Sequence, residues 1–249
     1  PFAVLGGIAL DQNRWEDALD HFEHAEALDP KDTTAFLWHA QTLMELGYLE
    51  KASETIAGGL VIDSGSAIMN LVAGYIARMR GNLDTADAHF ETAINAGMSY
   101  AVFDRGLIAF AHNDLPRAAD LMAEAAVLQE TIAVEDKPAL VAYYLTIMRH
   151  EASVDAAAMA FPTLASDDDF LTPSYLLAGE SSNALRMIAL DPDGDKDTFG
   201  KLWSDIDPGL RQDPYMKTLV EETGVLAYWR VHGWPDKCHA LGDTGFACD

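Results

Sequence analysis

Along the first half of the chain, apolar and small residues return in a fixed order. NRWEDALDHF at 13–22 is echoed by GYLEKASETI at 47–56, GNLDTADAHF at 81–90 and NDLPRAADLM at 113–122, offsets of 34, 34 and 32 residues. Within the copies, Ala18, Phe22 and Ala25 correspond to Ala52, Ile56 and Gly59, to Ala86, Phe90 and Ala93, and to Ala118, Met122 and Ala125. Spacings of four and three put each triplet on one helix face. Ahead of each copy stands a residue followed by a small one: Leu5-Gly6, His39-Ala40, Ala73-Gly74 and Arg105-Gly106. Small residues there let a second helix approach closely. The pattern predicts four antiparallel helix pairs, with Gly or Asn in the left-handed position that ends the first helix of each pair. Pro116 fits the first turn of its helix, and Pro30 stops the helix before it.

Beyond residue 130 the register decays. Pro138 introduces ALVAYYLTIMRHE, and SVDAAAMAF follows, which together read as a fifth, degenerate pair. Terminal units of a stack depart from the common pattern because one face meets something else. SDDD at 166–169 and DPDGDKD at 191–197 are polar breaks, and SYLLAGESSNALRMIAL between them predicts either a helix pair or one long helix. Asp213-Pro214 starts another helix with Met216, Leu219 and Val220 inward, and Gly224 breaks it.

Self-similarity at this period signals stacked helical units. The chain resembles the tetratricopeptide repeat: Phe2, Leu5, Gly6, Ala9, Ala18, Phe22, Ala25 and Pro30 fall on its signature positions, some as tolerated substitutes. The later copies match more loosely. The resemblance implies an all-α fold, a right-handed superhelix of antiparallel pairs. Residues 1–128 would form four repeats, 129–165 the fifth pair, and 166–249 a helical C-terminal cap. The tail also resembles the ends of tetratricopeptide regions in bacterial membrane-anchored winged-helix regulators and class III adenylate or guanylate cyclases. The matching residues are Asp213-Pro214, Leu219, Gly224, Tyr228-Trp229-Arg230, Gly233, Trp234-Pro235-Asp236 and Cys238. That resemblance implies an accessory region of a signalling protein on the periplasmic side of the membrane, with the effector half upstream. Tyr228 and Trp229 read as packing anchors that seal the last helix.

Charge narrows the partners. Sixteen basic residues stand against forty acidic ones, a net charge of −24. Nucleic acid and anionic membrane surfaces both require a basic footprint, which is missing. No apolar run is long enough to span a bilayer. The expected partner is a protein or peptide.

In a stack of this kind the first helix of each pair lines the concave side. Its inward positions are Leu37, Gln41, Met44 and Glu45, then Leu71, Tyr75, Arg78 and Met79, then Tyr100, Phe103, Leu107 and Phe110. Leu37, Gln41, Met44, Tyr75, Arg78, Phe103 and Phe110 form the candidate contact surface. Its aromatic and apolar character suits an amphipathic helix or extended peptide. It lacks the Lys/Asn clamp of chaperone-binding relatives, whose first positions are Ala3 and Gly7 here. Helices near 139–160 are the alternative occupant, because a large open apolar patch is uncommon. A small-molecule sensor with its pocket between repeats and cap is the alternative function.

Cys238 and Cys248 are the only cysteines. A disulfide between them would pin the terminus, contribute ~2–3 kcal/mol and fit an oxidising compartment. Two free thiols would instead fit a cytoplasmic scaffold. His232 and His239 stand nearby, but His-x5-Cys-His-x8-Cys matches no usual zinc spacing. In DPDGDKD the glycine falls at the fourth position rather than the sixth that a calcium loop requires, and position twelve is Leu202. His21 and His24 share a helix face without a third ligand. No Gly-x-Ser-x-Gly, phosphate loop or His-Glu-x-x-His is present. The reading is a non-catalytic module with no metal or cofactor.

Overall fold

The computed structural model describes residues 2–190, 202–242 and 245–249. Its first eight helices are four consecutive pairs: α1 (Phe2–Asp11) with α2 (Trp15–Leu28), α3 (Thr33–Glu45) with α4 (Leu49–Ile62), α5 (Ala67–Met79) with α6 (Leu83–Asn95), and α7 (Ala101–Ala111) with α8 (Leu115–Leu128). Each pair packs internally, and α2 lies on α3, α4 on α5 and α6 on α7, so the pairs stack in chain order. The turns within the pairs hold Asn13, Gly47, Gly81 and Asn113 at φ of 55°, 85°, 78° and 59°. Those are the residues best able to take a left-handed conformation. Side chains of Asp32, Ser66 and Asp114 accept backbone N–H groups at the starts of α3, α5 and α8.

The repeated triplets form the spine of the core. Phe22, Phe90 and Met122 are fully buried. The small residues opposite them set the distance between the paired helices. A Cβ on Gly6 would sit 2.4 Å from the Phe22 ring, and one on Gly74 2.4 Å from the Phe90 ring.

The stack continues through α9 (Lys137–Met148), which lies on α8, and α10 (Val154–Ala158), a little over one turn long. The SYLL run resolves into a pair, α11 (Asp168–Leu177) and α12 (Ser181–Leu190), divided at Gly179 with φ 69°. The Asp-rich run 191–197, considered above as a calcium loop, lies outside the described residues.

The C-terminal part contains α13 (Gly209–Gln212), α14 (Pro214–Glu222) and α15 (Val225–His232). It then departs from the expected helical cap. Strands β1 (Cys238–Leu241) and β2 (Gly245–Cys248) form an antiparallel hairpin with Cys238 directly opposite Cys248. The helix cannot run on through Gly233, at φ 102°, and Pro235. A disulfide joins the two cysteines across the base of the hairpin.

Gly6 and its neighbour Gly7 offer an internally controlled test of the packing. Gly6→Ala is expected to cost about 1–3 kcal/mol through overpacking against Phe22. Gly7, with nothing within 4 Å of an added Cβ, should instead gain about 0.5–1 kcal/mol as Ala through helix propensity. Urea unfolding of both variants measures the difference; equal effects would contradict the close approach at Gly6.

Candidate interaction groove

The positions expected to face inward on α3, α5 and α7 differ in exposure. Met44 is buried and Glu45 has no exposed surface. Of the other candidate residues, Leu37, Gln41, Tyr75, Arg78, Phe103 and Phe110 are half-buried. From the 139–160 region, Tyr144 makes an edge contact to Phe103, with ring centroids 6.3 Å apart, and Leu140, Tyr143 and Ile147 share the core cluster that Phe103 and Phe110 pack against. At the end of α3 and at Arg78, the segment from Leu202 to Ile206 and α15 bond to the array.

The contacts run through the turn between α3 and α4. The Trp203 indole N–H donates to the Glu45 carbonyl at 2.8 Å, and the Trp229 indole N–H to the Leu46 carbonyl at 2.9 Å. The backbone N–H of Asp236 donates to the Gly47 carbonyl at 3.2 Å, while the Asp236 carboxylate accepts from Glu50 N–H at 2.8 Å. The array donates in return: Tyr48 hydroxyl to the Gly233 carbonyl at 2.6 Å, and Trp15 indole to the Thr223 carbonyl at 2.8 Å. Behind these bonds Trp203, Trp229, Trp234 and Phe246 form an aromatic cluster with neighbouring centroids 5.7–6.1 Å apart. Arg211 ties the same segment together, donating to the carbonyls of Leu202 at 3.1 Å, Ser204 at 2.8 Å and the terminal Asp249.

Where groove and cap meet, the charges are buried. Arg78 donates to the Ser204 hydroxyl at 3.2 Å and stands 4.0 Å from Asp104. Burial pushes the Asp104 carboxyl up to about 7, with Arg78 and a Tyr75 hydrogen bond offsetting only part of the effect. Lys237, bonded to Asp205, is lowered mainly by desolvation, with Arg211 and Arg78 adding a smaller repulsion.

The remaining candidates have structural surroundings. The Tyr75 ring packs 5.7 Å from the core ring of Phe90. His24 lies edge-on against Phe2, at 4.3 Å between centroids. His232 stacks on Tyr228 and stands 3.7 Å from Glu16. The cysteine sulfurs are bonded to each other, which removes them as zinc ligands. Among the described residues no cluster of three or more His, Cys, Asp or Glu side chains could hold a metal ion, and no helix is long and apolar enough to cross a membrane. A polar hollow of about 460 Å³ lies between the start of α12 and the α13–α14 junction. Its serines are already engaged, Ser181 with Asp207 and Ser182 with Asp213, each at 2.6 Å.

The sequence reading missed two kinds of residue. Trp203 and Trp15 act as polar anchors across the cap interface; the repeat marks Trp15 only as the counterpart of Leu49, Leu83 and Leu115, and no local pattern marks Trp203. Ile68 was also missed. It occupies the same repeat position as Tyr100 and is 37% exposed, so the repeat register alone would have found it.

Two measurements probe the seat of the cap. Gly47 and Gly81 are equivalent and both left-handed, but only at Gly47 would a Cβ meet the Trp203 ring, at 2.6 Å. Gly81→Ala should cost about 1–2 kcal/mol, and Gly47→Ala about 1–3 kcal/mol more, as read by urea unfolding. For Asp104, the folded state holds the proton more tightly than the unfolded chain. Its contribution is therefore complete below the ordinary value of 3.8 and is lost as pH rises through about 7. Relative to Asp104→Asn, the natural chain should lose stability from roughly pH 4 to roughly pH 7, by at most about 1.4 kcal/mol per unit. A constant difference across that range would contradict the burial assignment.

Comparison with known proteins agrees with the geometry. Two family models, each described as Tetratricopeptide repeat, match residues 9–73 and 69–131. A search of curated proteins returned no match. With helix pairs stacked in register across the matched region, residues 9–131 belong to the tetratricopeptide repeat family and make this a tetratricopeptide-repeat protein.

Proposed function

We propose that this chain is a non-catalytic interaction module that holds a peptide or helix of a partner protein in its groove, as the accessory region of a bacterial signalling protein. Tetratricopeptide repeats support a protein-interaction or scaffold role. One observation carries the finer reading. After the cap has covered Met44, an apolar wall across three successive repeats stays partly accessible, formed by Leu37, Tyr75, Phe103 and Phe110 with Gln41 among them. A wall of aromatic and aliphatic side chains with one amide suits anchor residues of a polypeptide. The tail's likeness to accessory regions of membrane-anchored regulators and cyclases supports the signalling context. The Cys238–Cys248 disulfide supports an oxidising compartment, and with it the periplasmic side.

Site-specific photo-crosslinking in the native cell tests the reading. A photoreactive residue at Gln41 should capture a polypeptide, and Leu37→Glu in the same chain should abolish the capture. The same probe at Glu54, exposed on α4, should give none. Equal capture at both positions, or none at Gln41, would overturn the groove as the contact surface.

A further inference from the structure

The cap closes only one side of the groove. From Thr42 in α3 through the turn to Leu49 at the start of α4 every residue is buried, while toward the start of α3 Thr34 is exposed and Trp38 keeps 39% of its surface. The position of Thr34 in the next two repeats is filled by Ile68, 37% exposed, and Tyr100, 38% exposed. These residues form a row along the edge opposite the cap. Leu37 and Phe103 lie next along their helices and pack against the core, which fixes the floor of the row. α3 packs on α5, and packed helices lie about 8–10 Å apart, so a row that reaches on to α7 spans about 20 Å or more, the reach of at least about six extended residues.

The charge along this edge is negative. The loops leading into α3 and α5 carry Asp29, Asp32 and Asp63 against Lys31. Each carboxylate is held by its own loop, accepting the N–H of Lys31, Thr34 or Gly65 at 3.0–3.2 Å. The partial positive charge of a helix start fades within one turn. At α3 it is met by Asp32, and the chain as a whole carries −24.

We propose, resting on the groove reading above, that this loop-side edge binds a short extended segment of a partner protein, apolar in its middle and flanked by lysine or arginine. The apolar centre covers Trp38, Ile68 and Tyr100, and the flanking cations meet Asp29, Asp32 and Asp63. A segment running the full depth of the groove would collide with Trp203 and Ser204, so the ligand stays on the open half.

Selection of random peptides displayed on phage against the intact chain tests this, followed by affinity measurement on the enriched peptides. Enriched sequences should combine apolar centres with Lys or Arg, and their affinity should fall steeply with salt. Ile68→Ser with Tyr100→Ser should weaken them about tenfold or more. Asp32→Asn with Asp63→Asn, which keeps both loop acceptors, should weaken them and flatten the salt dependence. Peptides that lose affinity on Leu37→Ser or Gln41→Ala but not on Ile68→Ser/Tyr100→Ser would overturn the edge while leaving the groove reading intact. Enrichment without a basic bias, or affinity indifferent to salt, would overturn the partner chemistry. Failure to enrich any peptide sensitive to a groove substitution would overturn both.

Discussion

A helix ends in carbonyls that its own residues cannot answer, and this structure is organised around the way one such end is satisfied. At the close of α3 the carbonyls of Glu45, Leu46 and Gly47 take their donors from the other end of the chain: two indole N–H groups and one backbone N–H. Trp203 and Trp229 suit the task because each is fully buried as an apolar body while its one polar atom reaches out to bond. Leaving such a carbonyl dry would cost about 1–3 kcal/mol. The array and its cap therefore fix each other's position through the same few atoms. The return bonds, from Trp15 to Thr223 and from Tyr48 to Gly233, apply the same device to the ends of α14 and α15.

This arrangement makes the groove one-sided. The turns that join paired helices all lie along one edge, and the cap sits on that edge. At Gly47 the two surfaces come close, because its missing side chain leaves room for the Trp203 ring. Arg211 gathers the covering segment by its carbonyls, and the disulfide holds Asp249 within reach of that guanidinium. The price is a buried charged group: Asp104 takes up a proton more readily than an exposed carboxyl because Arg78 offsets only part of its desolvation. Toward the opposite edge of the groove, Trp38, Ile68 and Tyr100 stay partly accessible.

The repeats were legible because their signals are local. A triplet at spacings of four and three, a small residue opposite it and a left-handed Asn or Gly at the turn all lie within one hairpin, and each of Asn13, Gly47, Gly81 and Asn113 takes the expected conformation. The cap was legible only in its helix starts and breaks, such as Asp213-Pro214 and Gly224. Its terminal hairpin was missed because strands of four residues, CHAL and GFAC, are too short to show an alternating pattern. The candidate groove shows where helical spacing stops being informative. Spacing places Met44 and Arg78 on the inward face, but what stands in front of them is set by Trp203 and Ser204, more than 120 residues away. Contacts at that separation leave no periodic trace.

An open stack of helix pairs has contacts only between neighbours and flexes along its length. Here the first pair is bonded to Thr223, the second to Trp203 and Trp229, and the third to Ser204, so three repeats share one rigid support. On the proposed reading, a partner docking on α3, α5 and α7 would meet a surface already ordered by folding. Ordering a mobile side chain at an interface costs about 0.5–1.5 kcal/mol, and that cost is largely met before the partner arrives. The same bonds hold the repeats at a fixed spacing, which favours a partner that fits the existing surface. On the reading proposed above, the cap exchanges breadth of recognition for a fixed, shallow edge, which suits a short segment with a few well-placed anchors.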